Sequence, residues 1–382
     1  MNKIIILTLL LIFVSSLTVA ANEIPIRGVW ISTVYNLDFP SKQTTNSDDL
    51  KNEIDDIVKN ISEIGFNAVF LQVRPSSDAI YPSEIYPWSR YLTGKQGISP
   101  DKNFDPLKYW IDKCHEYSIE LHAWINPYRI TKDKDKEFET LSQNNPAVLN
   151  SVWVVKYSDG NYYYNPAVPE VRNLVTKGVK EIIEKYDVDG IHMDDYFYPG
   201  TDFDDAKEYK KYNNGEFTDI GDWRRNNVNL LVKSIYEAVK TCGKDVVFGI
   251  SPSGIWANKS QNELGSDTKG KSSYYEMYAD TRKWVKENML DYLAPQIYWE
   301  FGYNIADYEV ISKWWADVFE DSDVNLYIGL ADYRTIDASD TSPWYMGEEI
   351  RRQMDYNYKI SQIDGEIHFR YKMINNKTNY NA

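Results

Sequence analysis

The chain is predicted to fold as an α/β protein, a (β/α)8 TIM barrel with long loops on its C-terminal face. Three observations carry this expectation. Eight apolar, β-branched-rich runs alternate with helix-period segments. Most of these runs are continuous rather than alternating in polarity, as strands covered on both faces require. The long connections follow strands, whereas links from helix back to strand are short, which gathers the elaborated loops at one mouth of a barrel.

The expected strands cover 27–33, 66–73, 119–125, 188–193, 246–251, 292–298, 325–330 and 365–371. Between the first two, Leu50, Ile54, Ile57, Val58, Ile61 and Ile64 keep a 3.6-residue period that Gly65 closes. Val171, Leu174, Val175, Val179, Ile182 and Ile183 repeat the pattern before the fourth strand, and Val228, Leu231, Ile235 and Val239 after it. Further helices are expected at 105–117, 274–288, 307–319 and 348–357. The loops 74–103, 126–169 and 199–221 follow the second, third and fourth strands. Within the second of these, two short runs flank Asp159-Gly160, a hairpin signal, and this hairpin is expected to form one wall of the cleft.

The ends read differently. Lys3 followed by the apolar run 4–14 and the small residues Val19-Ala20-Ala21 reads as a signal peptide over 1–21. The barrel domain is then 22–374, exported to the cell envelope or beyond. Residues 375–382 are polar and lack a helical period, so the eighth strand is expected without a full final helix, or with that helix beyond the sequence given. No later segment has the length and apolarity to span a bilayer.

The chain carries a net charge of −15, which argues against nucleic acid and anionic membranes as partners. Its two cysteines, Cys114 and Cys242, are expected as free thiols. Aromatics make up 15% of its 382 residues, including 12 Trp and 31 Tyr. Such an excess suits a polymer whose apolar sugar faces stack on rings, although any single ring is more often core.

The chemistry is expected after the fourth strand, where Asp194 and Asp195 end an apolar run. Cleavage of a glycosidic bond needs two carboxyl groups, one giving a proton and the other attacking or activating water. A lone Asp here would more often cap the next loop; a pair after a buried strand favours function. Side-chain alternation puts Asp194 with His192 toward the barrel axis and turns Asp195 toward the loop or a neighbouring strand end. Asp38, Asp78, Glu300 and Asp332 follow other strands, and any of them could complete a pair. Trp124, Tyr128, Trp256, Tyr298 and Trp299 are expected as sugar platforms. Arg74, Asn126, Arg129 and Gln296 are expected to bind substrate hydroxyls, and Gln72, His192, Tyr196 and Ser251 to contact substrate as well. With four His in all and no early His-x-His, no metal and no cofactor is expected. No phosphate loop or Gly-x-Ser-x-Gly elbow is present.

The motifs Arg27-Gly28-Val29-Trp30-Ile31, Asp38-Phe39-Pro40, Gln72-Val73-Arg74-Pro75, Tyr81-Pro82-Ser83, Pro87-Trp88-Ser89 and Ala123-Trp124-Ile125-Asn126-Pro127-Tyr128-Arg129 belong together. His192-Met193-Asp194-Asp195-Tyr196-Phe197-Tyr198-Pro199, Gly221-Asp222-Trp223-Arg224-Arg225-Asn226-Asn227-Val228-Asn229, Gly249-Ile250-Ser251-Pro252, Ala279-Asp280-Thr281-Arg282 and Pro295-Gln296-Ile297-Tyr298-Trp299 continue them. Over about 25–372 the chain resembles the glycosyl hydrolase-like 10 family. The resemblance implies an exported (β/α)8 glycosidase, with a relative that acts on peptidoglycan strands stripped of stem peptides. It carries Asp194 and Asp195 over as the best catalytic candidates, adds weight to Asp78 and gives none to Glu300. The fourth-strand acid is also similar to the nucleophile position of amylase-like barrels, but the fifth-strand acid of those enzymes has no counterpart here.

The expected function is therefore extracytoplasmic hydrolysis of a cell-wall glycan, with that polysaccharide as the partner. Two other classes stay open at this point: a non-catalytic glycan-binding barrel, and a metal-dependent amidase or deacetylase.

Overall fold

Each of the eight expected strands is present, and together they close. The computed structural model describes residues 25–101 and 104–375. The leader expected over 1–21 and all but the first residue of the polar tail lie outside them. The barrel strands are Ile26–Ile31, Ala68–Arg74, Glu120–Ile125, Gly190–Asp194, Val247–Ser251, Tyr292–Leu293, Asn325–Leu330 and Gly365–His368. All pair in parallel with their sequence neighbours, and the eighth pairs with the first, Gly365 opposite Ile26. The sixth strand stops after two residues because Pro295 cannot donate to a ladder.

The flanking helices begin and end where local chemistry dictates. Asn46 caps Ser47–Ile64 by accepting from the backbone N–H of Asp48 at 2.8 Å, and Gly65 closes it at φ +99°. Pro169–Lys185, Ile220–Lys240, Tyr308–Val318 and Glu348–Asn357 bury their apolar stripes against the outer face of the barrel. After the eighth strand only the short helix Tyr371–Ile374 follows among the described residues. Cys114 and Cys242 are free.

Two local expectations are corrected. A continuous helix over 274–288 does not form. A π-turn, Ser273–Met277, ends at Tyr278 in a left-handed conformation, and a new helix, Thr281–Lys286, starts behind the side-chain cap of Asp280. The break falls at Tyr278, and the Arg225 guanidinium packs 4.1 Å from the Tyr274 ring in the first segment. The hairpin Val154–Lys156/Tyr162–Tyr164 does form, but it is not the cleft wall. It backs the segment after the third strand, with Ile130 N–H donating to the Tyr162 carbonyl at 3.0 Å.

The barrel interior is aromatic. Trp30, Phe70, Trp124, Tyr292 and Tyr327 fill it, and His122 and His192 lie among them. Rings of this size fit because glycines on other strands give way. A Cβ on Gly190 would stand 2.3 Å from His122, and one on Gly249 would stand 2.1 Å from the Tyr292 ring. The Tyr292 hydroxyl is hydrogen-bonded to both histidines at 3.0 Å, so that ring cannot swing aside. Gly249→Ala should therefore destabilise the fold by about 1–3 kcal/mol, as overpacking does. Urea unfolding measures this, and an unchanged midpoint and slope would show that the interior repacks freely.

Candidate active site

The fourth strand delivers Asp194 to the barrel mouth with its side chain lining a cleft of about 480 Å³. Asp195, the next residue, turns toward the fifth strand end, where the backbone N–H of Ser253 donates to its carboxylate at 2.6 Å. Both are buried, at 3% and 2% exposure. Burial raises the Asp194 carboxyl to about 6, opposed chiefly by the positive charge of Arg129 and the Asn126 hydrogen bond. Burial raises Asp195 further, to about 7; the Ser253 hydrogen bond opposes this and repulsion from Asp194 adds to it. The adjacent acids thus differ because one faces cations and the other does not.

The orientation of Asp194 is built from the strands beside it. The Gln72 side-chain carbonyl accepts from the backbone N–H groups of Thr33 and Val34, at 3.1 and 2.9 Å, and from the Ser32 hydroxyl at 3.2 Å. Its amide nitrogen then donates to the Asn126 carbonyl oxygen at 2.7 Å. Arg129 donates to the same Asn126 oxygen. The Asn126 amide nitrogen is left to donate to Asp194.

His192 forms the layer beneath. The indole N–H of Trp30 donates to His192 Nε2 at 3.1 Å, so this nitrogen carries no proton. Nδ1 therefore holds it and donates to the Tyr292 hydroxyl at 3.0 Å. Burial and the nearby His122 hold His192 well below its ordinary range, so it is neutral. It contacts Ser251 Oγ at 3.0 Å and supports the cleft floor. The expectation that it binds substrate is corrected: it is 0% exposed.

Of the expected residues, Gln72, Trp124, Arg129, Asp194, Tyr196, Ser251, Gln296 and Tyr298 line the cleft. Asp195 and Trp299 line an adjoining recess of about 250 Å³ that shares Tyr196, Gln296 and Tyr298 with it. Asn126 acts from behind, through Asp194. Tyr196 is half exposed, an open ring beside both acids.

Other expected residues lie elsewhere. Tyr128 is fully buried, edge-on to Phe197 at 6.4 Å, and offers no sugar platform. Trp256 packs against Tyr274 and Trp314, at 4.8 and 5.9 Å, and is 3% exposed. Arg74 lies 4.1 Å over the Tyr86 ring, backed by Gly178, and cannot reach a ligand in the cleft. Asp78 is fully buried outside the cleft lining, accepting from Gln96 at 3.3 Å, and burial raises it to about 6. Glu300 lines neither recess and accepts from the Trp344 indole at 3.2 Å. Asp38 is paired with Arg370 at 2.8 Å, and Asp332 with His368 at 3.0 Å. Trp30, Ser32, Tyr35, Lys132, Tyr333 and Phe369 also line the cleft and were not anticipated. Their one sequence signal was position at or just after a strand end. Among the described residues no group of three or more His, Cys, Asp and Glu is placed to hold a metal ion.

The closed parallel barrel defines the fold, and similarity to known proteins narrows its class. The family model Glycosyl hydrolase-like 10 matches residues 25–347, and the chain belongs to that family. It is 42% identical to the glycosyl hydrolase YngK of Bacillus subtilis over 93% of this chain and 70% of that protein. It is 38% identical to the glycosyl hydrolase DigH of Escherichia coli K12 over 92% of this chain and 84% of that one. Among solved structures it resembles the PgaB (BpsB) glycoside hydrolase domain from Bordetella bronchiseptica, with a TM-score of 0.60 at 14% identity, covering 92% of this chain and 96% of that one.

The Asp195 carboxyl at about 7 in the fold compares with an ordinary 3.8. Between those values the native state holds a proton that the unfolded chain has lost, so the contribution of Asp195 to stability falls as pH rises from about 4 to about 7. Asp195→Asn should gain on the wild type across that window, by up to about 1.4 kcal/mol per pH unit. Urea unfolding at pH 4, 5, 6 and 7 reads the difference. A constant offset would show that the carboxyl is not held protonated.

Proposed function

We propose that the protein hydrolyses glycosidic bonds in bacterial cell-wall glycan outside the cytoplasm, with Asp194 as nucleophile or base and Asp195 as proton donor. The observation that carries this reading is the pair of adjacent buried carboxyls in unlike environments, opening on an aromatic cleft. Asp194 faces the positive charge of Arg129 and Lys132, which favours its ionised form. Asp195 takes a backbone N–H and has a like charge beside it, and its burial is not opposed as that of Asp194 is by Arg129, which favours a retained proton. Environments that push two acids apart assign the acid and the base. Family membership and relatives named as glycosyl hydrolases support the reaction class. The choice of cell-wall glycan rests on the leader expected at 1–21 and on the family resemblance.

The test is release of new reducing ends from purified peptidoglycan, intact and stripped of stem peptides, with and without chelator. Cleavage of stripped strands, insensitive to chelator, is expected. Asp194→Asn and Asp195→Asn should each lower the rate by about 10²–10⁴-fold while still folding to the same structure. Saturable binding without fragments would make the barrel a glycan-binding module instead, and inhibition by chelator would point to metal chemistry.

The pH profile follows from the same assignment. Activity should rise as Asp194 ionises near 6 and fall as Asp195 loses its proton near 7, giving a narrow bell. In Asp195→Asn the alkaline limb should disappear from the residual activity. Persistence of that limb would reassign the proton donor.

A further inference from the structure

The cleft holds two cations without carboxylate partners, in a chain with 57 acidic residues against 42 Lys and Arg. Arg129 and Lys132 both line it. Among the described residues, neither has a carboxylate oxygen within 4 Å. Two other arginines do meet carboxylates: Arg224 meets Asp205 at 2.6 Å, and Arg370 meets Asp38 at 2.8 Å. A partly buried ammonium left unpaired is costly unless something else supplies the counter-charge. Burial, and then the charge of Arg129, pulls the Lys132 amine below its ordinary range, against the opposing charges of Asp194, Asp159 and Glu137, none of them within 4 Å of the amine.

The backbone places Lys132 deliberately. Its N–H donates to the buried carboxylate of Glu137 at 2.7 Å, and its carbonyl accepts from the Tyr35 hydroxyl at 2.9 Å. Tyr35 stands at the cleft rim with 53% exposure and φ +56°, a conformation that bulky residues avoid. The loop before it is held in that shape by the Gln72 carbonyl. An open ring and an ammonium therefore line the same cleft on loops tied together through the backbone. A ring face beside a cation suits a sugar that carries an anionic group.

We propose that the cleft selects glycans in which a sugar near the cleaved bond bears a carboxylate, read by Lys132 with Arg129 beside it and seated on Tyr35. The inference rests on the glycan-cleaving reading of the same cleft. Two sources offer this chemistry: the lactyl ether of muramic residues freed of their peptides, and the ring carboxylate of a uronic acid.

The test is calorimetric titration of the Asp195→Asn protein, slowed enough for binding to be read before turnover, with muramyl and uronate oligosaccharides, each against its own methyl ester. The acid should bind about tenfold more tightly than the ester for at least one source, and the preferred source identifies the sugar. Adding Lys132→Gln should bring the acid-to-ester ratio close to one while leaving ester affinity in place; Lys132→Arg should restore most of it. Equal binding of acid and ester, or equal loss of both in Lys132→Gln, would overturn the proposal. If the two cations serve only to keep Asp194 ionised, Lys132→Gln moves the acid limb of the wild-type pH profile and leaves the ratio unchanged, which also overturns it. Reducing-end release by the wild type on the same oligosaccharides separates the two readings. Cleavage without preference sinks this inference alone, and preference without cleavage sinks the hydrolase reading alone.

Discussion

The site depends on the polarity of one buried amide. Gln72 takes two backbone N–H groups and a hydroxyl on its carbonyl oxygen, so only its amide nitrogen remains to meet Asn126. That forces the Asn126 oxygen inward and its nitrogen toward Asp194. An amide can be turned either way in isolation, but here the first-strand loop, which can only donate, decides it. Asp194 is therefore always presented with a donor, and a hydrogen bond to the charged form favours ionisation. The relay links the ends of the first four strands: Thr33 and Val34, then Gln72, then Asn126, then Asp194. Loss of one amide from this buried network would leave its neighbours unpaired.

Below this relay the barrel interior is organised to the same end. The order of donation from Trp30 to His192 to Tyr292 leaves His192 neutral, with no charge under the floor to perturb the acids above. Tyr292 then bonds His122, whose other ring nitrogen lies 3.2 Å from Glu120 at the opposite end of the barrel. Glycines at 190 and 249 give the rings their space, so conformational freedom is surrendered in the strands to make a rigid aromatic floor.

The fold was legible because strand and helix periods are local. The run ending at Asp194 reads as a buried strand whatever surrounds it, and the helix ending at Gly65 announces its own stop. The site was legible only where chemistry coincides with a strand end. Position at a strand end put Asp194, Gln72 and Ser251 at the mouth, where all three line the cleft. The same reasoning failed for Tyr128 and Trp256, because a loop leaving a strand end can turn its next aromatic outward into the helix layer, and composition does not record that turn. Asp78 and Arg74 follow a strand end in sequence yet are buried away from the cleft, against Gln96 and Tyr86. Lys132 and Tyr35 escaped notice for the converse reason. Each is an ordinary loop residue in sequence, and only the contact between the two loops, across 97 positions, makes them neighbours.

The unlike environments of the two acids explain why adjacency in sequence need not mean redundancy. Side-chain alternation turns neighbours on a strand to opposite sides, and at a strand end those sides are different loops. Asp194 meets the third-strand loop, which brings Asn126, Arg129 and Lys132; Asp195 meets the fifth, which brings a single backbone N–H from Ser253. One strand terminus therefore delivers two carboxyls of unequal proton affinity, with no need for an acid from a distant strand. Repulsion between them reinforces the inequality, since ionisation of Asp194 favours the protonated form of Asp195. The cations of the third-strand loop then have two consequences. They oppose the rise that burial gives the first acid, and through its charge they help the second keep its proton.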